Sequence, residues 1–255
     1  MLRIRLVPVL LLRNGRLVKP KRFGLSGERD VGSPITTARI YDSQDADELI
    51  FLDVSATNEG RKFLLETLRG IAKNCFVPLT AGGGIRTIDD VQEILKNGAD
   101  KISINTIAVE KPEIIANIAE KFGSQCVVVS IDVKQNQDGV YEVFINGGKG
   151  NTGLDVISWS KEVYKRGAGE ILLTSIDKEG MMDGYDLELI KMVSENVPIP
   201  VIANGGAGTR QDFVDAIKVG HASAVAASSV FHFSDSNLTQ VKSFMFNAGI
   251  SVRPI

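Results

Sequence analysis

The chain alternates short apolar runs with stretches whose apolar residues recur every three or four positions. Runs rich in Val, Ile and Leu at residues 4–12, 49–54, 76–80, 101–104, 126–133, 170–175, 200–203 and 224–227 predict eight strands. Most are continuously apolar rather than strictly alternating, which is the pattern of parallel strands covered on both faces. Amphipathic helical patterns fill intervals at 61–73, 88–97, 112–122, 153–166, 186–196 and 211–219. Eight β-then-α units in 255 residues predict an α/β fold of the (β/α)8 TIM-barrel type, a single domain over 1–255. An open doubly wound sheet is the alternative. Two aperiodic segments, 19–34 and 135–152, follow the first and fifth strands and read as long loops at the C-terminal face, candidate lids.

An internal repeat favours the barrel. Displacing the sequence by 122 residues sets Val77-Pro78-Leu79-Thr80-Ala81-Gly82-Gly83-Gly84 on Ile199-Pro200-Val201-Ile202-Ala203-Asn204-Gly205-Gly206. The same offset sets Thr87 on Thr209, Asp90 on Asp212, Lys96 on Lys218, Gly98 on Gly220 and Glu48 on Glu170. Half-repeats of approximately 1–122 and 123–255 close naturally into a barrel with pseudo-twofold symmetry.

Composition narrows the partners. With 29 basic against 31 acidic side chains and a formal charge of −2, the chain has no global attraction for nucleic acid or an anionic membrane, so any phosphate binding must be local. The apolar run at 6–12 has seven residues and contains Pro8, far short of the roughly 20 of a membrane span. Arg13 ends it and no small-residue cleavage site follows, so export is not expected. Cys75 and Cys126 each sit in an apolar stretch and read as core residues of a reduced, cytoplasmic protein.

Candidate chemistry lies at both ends of the strands. Gly82-Gly83-Gly84 and Gly205-Gly206-Ala207-Gly208 each follow a strand and precede a helix whose first turn carries Thr87 or Thr209. Such turns let backbone amides approach an anion while the helix dipole adds favourable potential; the alternative is that they only make tight turns. Ala226, Ala227, Ser228 and Ser229 suit the phosphate site that strands 7 and 8 commonly build, and one substrate phosphorylated at both ends would satisfy both turns. Asp132 ends the fifth strand, where a carboxylate suits general acid or base work, although it could instead cap a turn or pair with Lys134. Asp53 and Asp177 hold similar positions and either contribute or orient loops. Lys19 could grip a phosphate, although an isolated loop lysine is more often solvated. Arg5, Glu48, Lys101 and Glu170 stand at or beside strand starts and suggest a charged ring at the barrel bottom, functional or purely structural. His221 and His232 fit no metal-ligand spacing and read as core-edge or surface residues. Neither a metal nor a cofactor is implied.

Longer segments carry a resemblance: Phe51-Leu52-Asp53, Ala81-Gly82-Gly83-Gly84-Ile85, residues 98–106 and 166–177, and Phe231-His232-Phe233. Over nearly the whole chain these are similar to the cyclase subunit (HisF) family of imidazole glycerol phosphate synthase. The resemblance implies a glutaminase (HisH-like) docked at the barrel bottom as a heterodimer, with Asp100 at the interface and Arg5, Glu48, Lys101 and Glu170 as an ammonia gate. It also implies active-site roles for Asp132 and Lys19, and a phosphorylated ligand held by Gly82, Gly83, Gly84, Asn105, Thr106, Gly205, Gly206, Ala227 and Ser228. In the family, ammonia attacks a bisphosphorylated precursor, and ring closure with lyase cleavage gives imidazole glycerol phosphate and AICAR in histidine biosynthesis.

One departure bears on the chemistry. The family's second catalytic aspartate falls at Leu11, which the repeat sets across the barrel from Asp132, and a leucine cannot transfer a proton. Glu179, Met181 and Met182 also replace the family's usual acidic, Thr-containing loop. This combination resembles divergent HisF-like paralogues linked to acetamidino modification of surface sugars, such as those of lipopolysaccharide O-antigen, where the barrel supplies ammonia to a separate sugar amidotransferase. Three readings follow: an ammonia-receiving subunit for sugar amidation, a working cyclase, and a non-catalytic scaffold that activates the glutaminase.

Overall fold

The computed structural model describes residues 3–24 and 29–253. Its strands are β1 (Arg5–Arg13), β2 (Arg16–Lys19), β3 (Arg29–Gly32), β4 (Leu49–Asp53), β5 (Leu79–Gly82), β6 (Lys101–Ile104), β7 (Val127–Gln135), β8 (Tyr141–Ile145), β9 (Gly150–Asp155), β10 (Glu170–Ser175), β11 (Val201–Asn204) and β12 (Ala224–Ala227). The helices are α1 (Pro34–Ser43), α2 (Leu65–Ala72), α3 (Ile88–Lys96), α4 (Thr106–Glu110), α5 (Glu113–Phe122), α6 (Val156–Lys165), α7 (Leu187–Ser194), α8 (Arg210–Lys218), α9 (Ser229–Phe233) and α10 (Leu238–Asn247). Eight parallel strands pair in the order β1, β4, β5, β6, β7, β10, β11, β12, and β12 pairs back to β1, which closes a (β/α)8 barrel. No helix among the described residues is long and apolar enough to cross a membrane.

Two apolar layers explain the continuous runs. Val7, Val9, Leu11, Ile50, Val128, Leu172 and Ile202 fill the barrel interior, while Leu6, Leu10, Leu12, Phe51 and Ile171 pack outward beneath the helices. The halves repeat in space as in sequence: β1 recurs as β7, β5 as β11 and α3 as α8, each 122 residues later.

Several boundaries differ from the sequence reading. The aperiodic segments contain β-hairpins rather than bare loops: β2 folds back on β1 and pairs β3, and β8 folds back on β7 and pairs β9. These strands can form because β1 and β7 are nine residues long and project past the barrel rim. The helix expected from 153 starts at Val156, because Asp155 caps it by accepting from the Ser158 amide at 2.8 Å while 150–155 pair as β9. The helix expected from 61 starts at Leu65, because Arg61 is drawn into the preceding turn by Asp53. The strand expected at 76–80 is displaced to Leu79–Gly82, with Phe76 88% exposed before it. Helices α1 and α10 complete the first and eighth of the expected β-then-α units, and α4 and α9 are short additional turns after β6 and β12.

Candidate functional site

At the C-terminal ends of the strands lies a cavity of about 680 Å³, lined by Leu11, Lys19, Gly83, Gly84, Asn105, Thr106, Asp132 and Glu179 among others. Strand register decides which residue faces Asp132. A literal offset of 122 would match Asp132 with Leu10, yet Leu11 pairs Leu52 while Asp132 pairs Thr174, the repeat mate of Leu52. Leu10 packs outward and Leu11 inward, so the leucine is the counterpart of the aspartate inside the barrel.

Asp132 is buried and does not pair with Lys134, which is exposed. Its carboxylate accepts from Asn105 Nδ2 at 3.3 Å and Ser130 Oγ at 3.4 Å. Asn105 is fixed in turn, since its Nδ2 also donates to the carbonyls of Ser130 at 3.1 Å and Phe144 at 3.2 Å. Burial pushes the Asp132 carboxyl up to about 7, aided by the nearby Glu179 charge and opposed by hydrogen bonds from Ser130 and Thr174. A carboxyl poised there can give or take a proton at neutral pH.

Lys19 is not solvated. It ends β2, is 5% exposed, and makes an ion pair with Glu179, itself 5% exposed. Backbone bonds hold Glu179 from both sides: its amide donates to the Ser175 carbonyl at 3.0 Å, and its carbonyl accepts from the Arg22 amide at 2.9 Å.

The glycine turns have strict backbone demands. Gly83 and Gly206 adopt φ of +108° and +110°, and an added Cβ would lie 2.3 Å from the Asp53 carbonyl oxygen or 2.1 Å from that of Gly184. Asp90 accepts from the Arg86 and Thr87 amides at 3.0 Å, and Asp212 from the Gly208 and Thr209 amides at 2.8 and 2.7 Å, so a carboxylate takes the N-cap amide of each helix and the amide before it, not those of the first residues inside α3 and α8. Gly83 and Gly84 face the large cavity with Asn105 and Thr106, whereas Gly205, Gly206, Ala227 and Ser228 line an adjoining space of about 10 Å³. Gly82 serves packing, since a Cβ there would meet the Ser103 carbonyl oxygen at 2.6 Å.

Of the other strand-end carboxylates, Asp53 orients its loop. It takes Arg61 at 2.6 and 2.8 Å and the amides of Ser55 and Ala56 at 3.3 and 3.1 Å. Asp177 contributes its carbonyl, which accepts from Arg22 Nε at 3.1 Å.

At the opposite end, the four charges form a closed ring. Arg5 meets Glu48 at 2.7 Å and Glu170 at 3.1 Å, and Lys101 meets Glu48 at 2.8 Å and Glu170 at 3.2 Å. Glu48 is 1% exposed and also accepts from Thr80 Oγ1 at 2.6 Å. Burial disfavours the Arg5 charge, but Glu170 and Glu48 overcome it and the guanidinium is held above its ordinary value. Asp100 lies exposed near this ring and accepts from the Leu79 amide at 2.8 Å.

The remaining candidates lie elsewhere. His221 is exposed beside Glu195 at 3.1 Å, and His232 contacts Tyr41, where burial and then the Lys19 charge lower it to about 4. Cys75 is buried and Cys126 half-buried, both as free thiols. Among the described residues no cluster of three or more His, Cys, Asp or Glu is placed to hold a metal ion.

Sequence reasoning did not place Glu179, Thr174 or Asn204 in the site. Asn204 Nδ2 donates to Thr174 Oγ1 at 3.1 Å beside Asp132. The repeat carried a usable signal, because position 57, whose threonine accepts from the Gly84 amide at 3.2 Å, becomes Glu179 in the second half. A half-repeated barrel with paired glycine turns, an inward acid on the fifth barrel strand and a charged floor constrains ancestry as well as chemistry. The family described as "Histidine biosynthesis protein" matches residues 5–237, most of the chain and all eight barrel strands, and the chain belongs to that family.

Proposed function

We propose that this barrel is a HisF-like subunit that receives ammonia from a glutaminase at its lower face and delivers it toward a phosphorylated small molecule in the upper cavity, in a cytoplasmic amidation system of the acetamidino surface-sugar type. The observation that carries this reading is the ring of Arg5, Glu48, Lys101 and Glu170 beneath an interior lined by Val7, Val9, Ile50, Val128, Leu172 and Ile202. That interior is largely apolar, broken by the hydroxyls of Thr80, Ser103 and Ser130, and the ring sits at its lower mouth. Leu11 weighs against a full lyase, because losing one positioned acid or base typically costs about 10²- to 10⁴-fold.

A second reading, the imidazole glycerol phosphate synthase cyclase, is favoured by Glu179, a second buried carboxylate beside Asp132. The test mixes the protein with a HisH-like glutaminase and follows glutamine hydrolysis. In parallel, imidazole glycerol phosphate formation is followed from the histidine-pathway precursor with ammonium salt. Stimulated hydrolysis with feeble cyclisation is expected. Robust cyclisation would make the lyase reading correct, and no stimulation would remove the glutaminase from the account.

A further inference from the structure

At the level of Asp132 the two halves of the barrel present opposite chemistry. Strand register sets Asp132 beside Thr174 and Thr174 beside Asn204 across β7, β10 and β11, and it sets Leu11 beside Leu52 and Leu52 beside Gly82 across β1, β4 and β5. Leu11, Leu52 and Gly82 are the repeat mates of Asp132, Thr174 and Asn204. The second half offers hydrogen bonds: Asn204 donates to Thr174 Oγ1 at 3.1 Å, and Ser130 to Asp132 at 3.4 Å. The first half offers hydrocarbon. Leu11 shares one apolar cluster with Val9, Leu52 and Val54, and all four line the cavity.

We propose that Leu11 sets which phosphate ester this cavity takes: with Leu52 it makes an apolar wall that selects a ligand carrying a hydrocarbon group next to its phosphate over a polyol phosphate. The proposal rests on the reading of the cavity as a phosphate-ester site. Register places the wall against the first glycine turn, because Leu52 pairs Gly82 and a Cβ on Gly82 would lie 3.1 Å from Leu52 Cδ2. A ligand whose phosphate meets Gly83 and Gly84 brings its next atoms to Leu52 and Leu11. A hydroxyl there would give up water and find no partner on the wall, whereas hydrocarbon gains by leaving water. The nearest carboxylate on the same strand does not relieve this, since Asp53 is taken by Arg61 at 2.6 and 2.8 Å. The ligand's polar edge is met across the barrel, by Asp132, Thr174 and Asn204.

The experiment titrates wild type, Leu11→Asn and Leu11→Met calorimetrically with benzyl phosphate, glycerol 3-phosphate and inorganic phosphate. Wild type should bind benzyl phosphate about tenfold or more tighter than glycerol 3-phosphate. Leu11→Met keeps the hydrocarbon and should hold that preference, whereas Leu11→Asn should reduce it to about threefold or less. Inorganic phosphate does not reach the wall and should bind wild type and Leu11→Asn equally. Crystals of wild type grown with benzyl phosphate should place the ring against Leu11 and Leu52. Equal binding of the two esters by wild type, a preference that persists in Leu11→Asn, or a ring seated elsewhere overturns the proposal while leaving the cavity a phosphate site. If none of the three ligands binds wild type, the phosphate-ester reading falls and the proposal with it. The wild-type titrations and crystals decide even if a variant fails to fold.

Discussion

Asp132 sits where function and stability conflict. Its carboxyl is lifted from an ordinary 3.8 to about 7 by burial, so below pH 3.8 it is protonated in the folded and unfolded chain alike and costs nothing. As pH rises toward 7 the unfolded chain releases the proton first, and the stability present in acid is lost. A shift of about three units corresponds to roughly 4 kcal/mol at most. Asp132→Asn should therefore raise resistance to urea at pH 8 and leave it nearly unchanged at pH 4; an equal effect at both values would mean that ionisation plays no part. Leu11 is the complementary case. Leu11→Asp should raise imidazole glycerol phosphate formation from ammonium salt by up to roughly 10²-fold, about 3 kcal/mol of transition-state stabilisation, and Asp132→Asn in that background should abolish the gain. A gain that survives the second substitution would show that the two positions do not work as a pair.

Among the elements, the glycine turns and their helices show how local rules and tertiary contacts divide the work. Thr87 and Thr209 make capping boxes with Asp90 and Asp212, a feature of short-range sequence alone. The turns before them depend on neighbours far along the chain, since Gly206 lies against Gly184 and Gly83 against Asp53. Gly206→Ala should destabilise the protein by about 2–3 kcal/mol through strain and displacement of the facing carbonyl. Gly249→Ala, at φ +81° with open space around it, should cost only about 1 kcal/mol. Equal midpoint shifts in chemical denaturation would show that conformation, rather than contact, sets the demand at both turns.

For the molecule as a whole, the proposed function would place the glutaminase on the lower face. Ile40 at the end of α1, Phe76 before β5 and Phe246 at the end of α10 are 47%, 88% and 67% exposed on the side of the strand starts, around the charged ring. Asp100 both caps the backbone at Leu79 and presents charge there. Asp100→Asn keeps an acceptor for the Leu79 amide and removes the charge, so it should weaken glutaminase binding without lowering thermal stability. Phe76→Ser should do likewise, with stability held within about 0.5 kcal/mol. Titration with the partner and a melting curve check both, and unchanged affinity in both variants would leave these residues a structural role alone.

How much of this was legible in the sequence follows from the range of each interaction. Eight apolar runs, the 122-residue repeat, Asp132 at a strand end and four charges at strand starts can be read from periodicity and position, because pleat, helical turn and strand order are properties of neighbouring residues. The hairpins that replace the expected loops were hidden, since their pairing partners are the projecting ends of β1 and β7. That Leu11 rather than Leu10 faces the interior as the mate of Asp132 was decided by register against β4 and β10. The pairing of Lys19 with Glu179, 160 residues apart, exists only once the barrel closes and brings β2 against the loop after β10. Sequence determined which groups reach the two ends of the barrel. Only the closed fold decided which of those charges neutralise one another, because two burials far apart in the chain become one low-dielectric site only when the last strand pairs with the first.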